Sequence, residues 1–251
     1  MSNPQLHMLL PDPRISLDAL THRYTVRGYE DIYFRSVTEV ARTCVPEFDK
    51  DFIVSCMRKH HPDKTHAELR EELEQKIDKS LETGRKFHAY IDSIHNFSSL
   101  AVPSEPEVAV MHKQWHAWMT GSDRKKGSQE KVLIATECRL FDPKMAIAGT
   151  VDALVRVGPE LWLVDWKTNR TISKDTLKEY EIQLQLYDFI LRCCYCLKVD
   201  RLVLLNVHPT RARARQIEVK RTRTDQDLID ICGGKGDATS EEDRVMAMYD
   251  I

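Results

Sequence analysis

The chain has 251 residues, of which 42% are hydrophobic and 30% charged, and its formal net charge is −2. This is the composition of a globular protein that can bury a sizeable core, and the small net charge excludes a global basic field, so nucleic acid could bind only at local basic patches. The apolar runs are too short to cross a bilayer and the first residues lack a signal-peptide pattern, so we expect an intracellular protein. The seven cysteines form no regular framework, so we expect reduced thiols.

The first elements in chain order are a hairpin and a helix. Residues of high β-propensity flank Gly28 in HRYTVRGYEDIYF, residues 22–34, and this pattern predicts a short hairpin. The following segment, SVTEVARTCV, predicts a helix with Ser36 or Thr38 as its N-cap.

A long helix is predicted from Thr65, which forms a capping-box pattern with Glu68. Apolar residues then recur at every fourth position, at Leu69, Leu73, Ile77 and Leu81. Gly84 is expected to bend or split this helix. A further helix is predicted over residues 108–119.

From Lys131 the apolar pattern takes the period of strands. Three consecutive strands are predicted, over residues 131–141, 145–157 and 160–166. The rest of the pattern predicts a helix over 173–195, strands within 199–208 and 214–221, and a short helix near 225–231. Helices, a strand meander, a helix and further strands indicate an α/β or α+β domain with an N-terminal helical layer.

We divide the chain into three regions. Residues 1–130 are expected to form the hairpin and helical region, and residues 131–232 the core. The Gly-rich, acidic residues 233–251 are expected to be a flexible tail. We expect the first two regions to form one folded unit.

Charged residues interrupt the second and third strands. A turn between Gly158 and Pro159 would pair Asp152 with Asp165, and Lys167 would lie on the same face as Asp165. The preceding turn, taken as centred near residues 143 and 144, would place Glu137 opposite Thr150 and diagonal to Asp152. Two like charges at opposed positions repel unless a cation lies between them.

Three carboxylates and a lysine at one sheet surface are typical of a Mg²⁺ or Mn²⁺ site, because these ions prefer oxygen ligands. One or two such ions would support hydrolysis. Lys167 could orient or deprotonate a water, or neutralise developing charge. The alternative is a structural ion pair, but two carboxylates against one lysine would leave a buried charge uncompensated.

These residues lie in an ordered series of motifs. The series is Gly84 and His88 in ETGRKFHAYID, Glu137, Gly149 to Asp152 in GTVD, Asp165 to Thr168 in DWKT, and Gln183 and Tyr187 in QLQLY. It resembles the PD-(D/E)XK nuclease superfamily and its RecB-like branch. FRSVTEV followed by PEFD is similar to the N-terminal region of single-domain members from phages, large DNA viruses and mitochondria. The resemblance extends from about His22 to about Val207.

The resemblance implies a restriction-endonuclease-like core, a central mixed sheet flanked by helices. It implies metal ligation by His88, Asp152, Asp165, the main-chain carbonyl of Trp166 and, directly or through water, Glu137. Lys167 would be the catalytic lysine, and Gln183, Tyr187 and Thr168 would contact the substrate or position that lysine. Without the other motifs, His88 would be interpreted as a core or helix-surface histidine, and Gln183 with Tyr187 as an ordinary helix face.

Some relatives hold an iron–sulfur cluster through one upstream and three spaced downstream cysteines. Cys193, Cys194 and Cys196 are too close together for that spacing, so we expect no iron–sulfur cluster and predict buried free thiols.

Three groups of residues are candidates for nucleic-acid contacts. If their segment is extended, Arg211, Arg213 and Arg215 share one face and form a strip for phosphates; a solvated edge strand is the competing interpretation. For the basic loop at residues 124–126, solubility is the simpler explanation. The aromatic residues Trp115, Trp118, Tyr90 and Phe97 could stack on bases or belong to the core.

The expected activity is that of a metal-dependent deoxyribonuclease without a membrane partner. By analogy with the fold, we expect an exonuclease on single-stranded DNA or DNA ends, in replication, recombination or repair. Two alternatives are open: an RNA-directed endonuclease of the same fold, and a catalytically silent module that binds nucleic acid.

Overall fold

A computed structural model describes residues 11–18, 20–97, 103–122 and 129–233. Its strands are β1 (Ile15–Leu17), β2 (Tyr24–Val26), β3 (Arg35–Ser36), β4 (Lys131–Asp142), β5 (Ile147–Val157), β6 (Glu160–Lys167), β7 (Arg201–Asn206) and β8 (Arg215–Val219). Its helices are α1 (Val37–Arg42), α2 (Lys50–His60), α3 (His66–Phe97), α4 (Pro106–Thr120), α5 (Lys174–Tyr195) and α6 (Asp225–Gly233). Within these ranges, none of the helices is long and apolar enough to cross a membrane.

Side-chain caps explain where several helices begin. Ser36 and Glu39 form a reciprocal capping box at α1, so Ser36 rather than Thr38 is the N-cap. Thr65 and Glu68 form the predicted box at α3, with the Thr65 N–H donating to Glu68 Oε2 at 2.7 Å and the Glu68 N–H donating to Thr65 Oγ1 at 3.3 Å. Ser173 accepts from the Thr176 N–H at the start of α5.

The six-stranded sheet is mixed, as predicted. Its strand order is β3-β5-β6-β7-β8, with β4 paired to β5. The β3–β5 and β6–β7 pairs are parallel, and the β4–β5, β5–β6 and β7–β8 pairs are antiparallel. Because β6 and β7 are parallel, the chain that follows each of them lies at the same edge of the sheet.

Helices cover both faces of this sheet. One face packs against α1, α5 and α6 in a cluster that includes Val40, Leu163 and Leu186. The other face packs against α3 and α4 in a cluster that includes Phe87 and Trp166. Alternate residues of β6 therefore enter opposite layers, which is why residues 162–166 are all buried.

The N-terminal elements differ from two predictions. Strand β2 pairs with β1, which precedes it, and the predicted pairing around Gly28 is reduced to one bridge between Tyr24 and Phe34. Helix α3 continues through Gly84 without a break, since its 32 residues are helical throughout. Its predicted apolar stripe is wrong at Leu81, which is 55% exposed, because α2 covers only the beginning of α3.

Two predictions lie outside the described residues. These are the flexible tail beyond Gly233 and the basic loop at residues 124–126. The proposed boundary between residues 130 and 131 stays a prediction.

Candidate functional site

The site lies where β5 and β6 separate. Their pairing has the predicted register and ends with Ala153 opposite Val164, so that Asp152 and Asp165 are the next residues of the two strands. Asp152 Oδ2 accepts a hydrogen bond of 2.7 Å from the Trp166 N–H. A side chain thus takes the hydrogen bond that strand pairing would have supplied, and two carboxylates are held at the end of the hairpin.

Glu137 reaches the same level of the sheet, although the predicted register of β4 was wrong. Arg139, not Glu137, is opposite Thr150. Glu137 lies between the Thr136–Ala153 and Cys138–Val151 pairs, and therefore beside Asp152. Its φ is 47°, a left-handed conformation that is costly for a residue with a side chain.

The β4–β5 turn explains this register. It contains residues 143–146, between the paired Asp142 and Ile147. Asp142 Oδ1 accepts from the Lys144 N–H at 2.8 Å and the Met145 N–H at 3.2 Å. Ala146 closes the turn with a φ of 49°. The turn is therefore centred one residue later than predicted, and the β4 partners from Ala135 to Asp142 move by two positions, whereas those from Lys131 to Leu133, beyond an irregularity in the pairing, move by one.

His88 of α3 points at these carboxylates. Its Nδ1 lies 3.3 Å from Glu137 Oε1 and 3.6 Å from Asp152 Oδ1. Burial lowers the pKa of His88, but Asp152 and Glu137 outweigh burial and raise this pKa to about 9. Ligand atoms of His88, Glu137 and Asp152 all lie within 4.8 Å of one another, a spacing that one metal ion can bridge.

Asp165 and Lys167 form the second half of the site. Lys167 Nζ lies 2.9 Å from Asp165 Oδ2, and both side chains are largely buried. Burial, opposed by Lys167 and assisted by Asp152, raises the pKa of Asp165 to about 6. Burial lowers the pKa of Lys167, but Asp165 and Asp152 raise it above its usual value, so the lysine is an ammonium at neutral pH.

Helix α5 places Gln183 against this pair. Gln183 Nε2 donates to Asp165 Oδ1 at 3.2 Å, and Gln183 Oε1 accepts from Lys167 Nζ at 3.4 Å. The amide therefore fixes both charged groups from above the sheet. The side chain of Gln183 is 5% exposed, so it acts as a support and not as a free surface.

Tyr187, one turn further along α5, packs on the backbone of Gly149. A Cβ at residue 149 would lie 2.6 Å from Tyr187 Cε1 and 2.8 Å from its hydroxyl oxygen. The glycine of GTVD is therefore required by the close approach of the tyrosine ring. Gly84 similarly accommodates Thr168, whose Oγ1 would lie 3.0 Å from a Cβ on Gly84.

Two supporting residues were missed by the sequence patterns. The ring centroid of Tyr180 lies 4.1 Å from Lys167 Nζ, and its hydroxyl donates to Asn169 Oδ1 at 2.9 Å. Asn206 Nδ2 donates to the carbonyl oxygens of Lys167 and Asn169, both at 3.0 Å. Tyr180 lies three residues before Gln183, and this helical spacing could have identified it.

The predicted arginine strip is not formed. Only Arg215 belongs to a strand, and residues 212 and 213 form a bend. The Arg211 N–H donates to His208 O at 2.9 Å and closes a turn. Because the chain turns here, Arg211, Arg213 and Arg215 do not share one extended face.

Two further predictions are settled by burial. Trp115 and Trp118 are 5% and 0% exposed and pack against Trp166, so they belong to the core and do not offer a stacking surface. Cys193, Cys194 and Cys196 are free thiols as predicted, but they are exposed and not buried, since they lie at the solvent end of α5. Tyr90 is half-buried beside His112, and the side chain of Phe97 lies outside the described part of the chain.

The donor set fits a divalent cation that prefers oxygen and imidazole ligands. His88, Glu137 and Asp152 supply converging atoms. Asp165 Oδ2 is buried and, within the described residues, receives no donor in hydrogen-bond geometry despite its ion pair with Lys167. Such an atom is available to a cation. The carbonyl of Trp166 as a ligand stays a prediction.

A family model described as the PD-(D/E)XK nuclease superfamily matches residues 53–232. Among solved structures, the crystal structure of SSO0001 is similar to this chain with 13% sequence identity and a TM-score of 0.38, over 85% of this chain and 75% of that chain. No curated protein sequence matches significantly.

Proposed function

Because the chain belongs to the PD-(D/E)XK nuclease superfamily, a superfamily of metal-dependent nucleases, we propose that it is a Mg²⁺- or Mn²⁺-dependent deoxyribonuclease of the RecB-like branch. Within this class, the proposed activity is that of an exonuclease on single-stranded DNA or DNA ends. The observation that carries this proposal is the convergence of Asp152, Asp165 and Lys167 with His88 at the open end of one hairpin.

The residues that would hold the metal are His88, Glu137, Asp152 and Asp165, with the carbonyl of Trp166. A bound divalent cation would supply activation of a water and polarisation of the phosphodiester group. The unfavourable free energy of ionising the buried carboxyl groups of Asp152 and Asp165 supports this role. Burial raises the pKa of both carboxyl groups, and a cation would lower it again.

Lys167 supports catalysis as a positioned cation. The raised pKa of its ammonium argues against a general base in the metal-free protein. Its Nζ is held between Asp165, Gln183 and the Tyr180 ring, which fixes where the positive charge lies. We assign it to neutralising charge that develops on the phosphate.

A helical layer opposite the sheet supports a preference for single strands or ends. Gly84 and His88 of α3 lie against Thr168 and the carboxylates, so the substrate must enter between α3 and the sheet edge. A single strand or a free end is narrower than an intact duplex and passes such a gap more readily. We place the activity in DNA replication, recombination or repair, where such ends arise.

The experiment is a digestion of one DNA single strand, labelled at either end, with Mg²⁺ or Mn²⁺ and with EDTA. We expect stepwise shortening from an end with metal, and none with EDTA. Asp165→Asn, purified in the same way, controls for contaminating nucleases. A closed circular DNA of the same sequence should stay intact.

The two alternatives give different results. Efficient cleavage of circular RNA would establish the RNA-directed endonuclease. Binding of either nucleic acid without cleavage under any metal condition would establish the silent module. Either result would overturn the proposal.

A further inference from the structure

The sheet face that carries Asp152 continues toward the start of β5. Gly149 packs against Tyr187 of α5, so the next residue, Thr150, points to the opposite face. Asp152 lies on that opposite face too, because it approaches His88 of α3. Thr150 is therefore the neighbour of Asp152 on this side of β5, about 7 Å away along the strand.

The hairpin of β1 and β2 covers this part of the face. The N-terminal elements pack on β4 and β5 in a cluster of five buried side chains, Ile15, Val26, Phe34, Phe141 and Ala148. Asp12, which precedes β1, is also buried and accepts a hydrogen bond of 3.2 Å from the Tyr195 hydroxyl. The hydroxyl oxygen of Tyr24, in β2, lies 3.0 Å from Thr150 Oγ1. The hairpin thus holds a tyrosine hydroxyl beside the proposed metal ligands.

The two hydroxyl groups leave one hydrogen without an acceptor. Tyr24 and Thr150 each carry one hydroxyl hydrogen, and the hydrogen bond between their oxygens uses only one of the two. Within the described residues, neither oxygen makes another hydrogen bond. The second hydrogen is therefore available to an oxygen atom of a ligand.

Arg139 adds a positive charge to this hydroxyl pair. It is opposite Thr150 in the β4–β5 pairing, where the Cβ atoms of opposed residues are about 4.5 to 5.5 Å apart. Its neighbours Cys138 and Leu140 are buried in the cluster on the α5 face, so the side chain of Arg139 lies on the face of Thr150. Burial raises the pKa of Tyr24, and the charge of Arg139 opposes this rise, so the guanidinium lies close to the hydroxyl.

The guanidinium of Arg139 is exposed and, in the part of the chain that the structure describes, forms neither a hydrogen bond nor a salt bridge. Two carboxylates also act on the Tyr24 hydroxyl, those of Glu137 and Asp152. Both converge with His88 on the proposed metal position, where a divalent cation would compensate their charge. A guanidinium fork next to a hydroxyl hydrogen is a typical donor set for a phosphate group.

We propose that Arg139, with the hydroxyl groups of Tyr24 and Thr150, binds the phosphate of the substrate strand that neighbours the scissile phosphate. This inference rests on the proposed nuclease function. The separation of Thr150 from Asp152 supports it, because two residues of an extended strand span a distance comparable with that between adjacent phosphates of an extended nucleic-acid strand. We call these three residues the flanking subsite.

The test measures binding of fluorescent DNA single strands in EDTA, where no cleavage occurs, as a function of salt. Arg139→Gln should lower the affinity roughly fivefold at about 0.1 M salt and reduce the salt slope by about 0.7, the value for one phosphate contact on a single strand. Arg139→Lys should keep the salt slope, because it keeps the charge. Tyr24→Phe/Thr150→Val should lower the affinity about two- to tenfold with an unchanged salt slope, because it removes both hydroxyl groups and no charge. Urea unfolding checks that each variant is folded.

A second series of strands locates the contact. Each strand has about six nucleotides and carries one neutral methylphosphonate linkage in place of a phosphate, at successive positions. At the contacted position this linkage should lower the affinity of the unchanged protein roughly fivefold and leave that of Arg139→Gln unaffected, because the two changes remove the same interaction. The linkage that is cleaved first with Mg²⁺ should be the immediate neighbour of this position.

The matched control is Arg156→Gln. Arg156 also lies on β5 but near the β5–β6 turn, opposite Val132 and Leu161. The same charge is thus removed about 20 Å along the strand from the flanking subsite. The control should bind like the unchanged protein, and a loss equal to that of Arg139→Gln would overturn the subsite.

The other outcomes separate the flanking subsite from the nuclease. An unchanged affinity and salt slope in Arg139→Gln would overturn the subsite, even if the protein cleaves DNA. So would equal sensitivity of Arg139→Gln and the unchanged protein to the neutral linkage at every position, or a contacted linkage distant from the cleaved one. Binding through Arg139 at one linkage by a protein that cleaves nothing with Mg²⁺ or Mn²⁺ would retain the phosphate contact and refute the proposed nuclease. Absence of any binding would refute the subsite.

Discussion

Asp165→Asn should remove hydrolysis and at the same time stabilise the metal-free protein. The pKa of Asp165 rises from 3.8 to about 6 on folding. Each pKa unit corresponds to about 1.4 kcal/mol, so ionising this carboxyl group at pH 8 lowers the free energy of unfolding by roughly 3 kcal/mol. The raised pKa already includes the attraction of Lys167, so the loss of that ion pair is not an additional term.

The sign of the pH dependence follows from the raised pKa. Between about pH 4 and pH 6 the folded protein binds more protons at Asp165 than the unfolded chain, so this group lowers stability as pH rises. The advantage of Asp165→Asn should therefore be absent below pH 4, grow up to about pH 6 and stay constant above it. At roughly 2 to 4 °C per kcal/mol, we expect a Tm up to about 6 to 12 °C higher at pH 8.

The assay is thermal and urea unfolding in EDTA from pH 4 to pH 8, repeated with Mg²⁺ at pH 8. Mg²⁺ should stabilise the unchanged protein and have little effect on the variant. Asp78→Asn, the same change at an exposed position of α3, controls for the loss of one negative charge. A variant that is less stable than the unchanged protein in EDTA at pH 8, or whose added stability does not depend on pH, would contradict a raised pKa of Asp165.

Three further substitutions test other parts of the site. Lys167→Ala should lower kcat for end-labelled DNA by at least about 100-fold while binding in EDTA is kept, and substantial cleavage by a pure preparation would contradict its role. His88→Ala should raise the Mg²⁺ concentration required for half-maximal cleavage. Because folding raises the pKa of His88 to about 9, the unchanged protein in EDTA should be more stable than the variant below about pH 6.5, and this difference in stability should decline as the pH rises through about 9. Gly149→Ala should destabilise the protein by about 1 to 3 kcal/mol in urea unfolding because its Cβ would overlap the Tyr187 ring, whereas an unchanged midpoint would mean that the ring moves freely.

The hairpin that carries Asp152 and Asp165 could be predicted because its turn is defined locally. Gly158 and Pro159 join β5 and β6 directly, and Gly158 has a φ of 58°. A two-residue turn with glycine in the left-handed region fixes the register of both strands. The positions of Asp152 and Asp165 relative to this turn were therefore enough to predict that the two carboxylates face each other.

The turn between β4 and β5 could not be predicted in the same way. It depends on Asp142 accepting two backbone hydrogen bonds and on Ala146 in a left-handed conformation. Nothing in the residue type of an alanine indicates a positive φ. The position of Glu137 was therefore wrong by two residues, although its membership of the site was expected.

Contacts between residues that are distant in the sequence could not be predicted either. The turn that breaks the predicted arginine strip is held by Gln114, which precedes Arg211 by 97 positions. Asn206 supports the backbone beyond Lys167 from another strand, 39 positions away. Periodicity identifies faces of helices and strands, but it does not identify which buried amide will reach which loop.

The arrangement explains how an apolar hairpin tolerates its charges. Asp152 accepts from the Trp166 N–H, and Asp165 is held by Lys167 and by the Gln183 amide, so each carboxylate has at least one fixed partner. These partners leave the pKa of both carboxyl groups raised, which means that their ionised forms remain costly without a further positive charge. Without a metal ion, the favourable packing of the rest of the core must offset the free energy of ionising these two carboxyl groups. A site that is stabilised by the ion it uses therefore couples metal binding to folding, and the predicted difference between EDTA and Mg²⁺ measures that coupling directly.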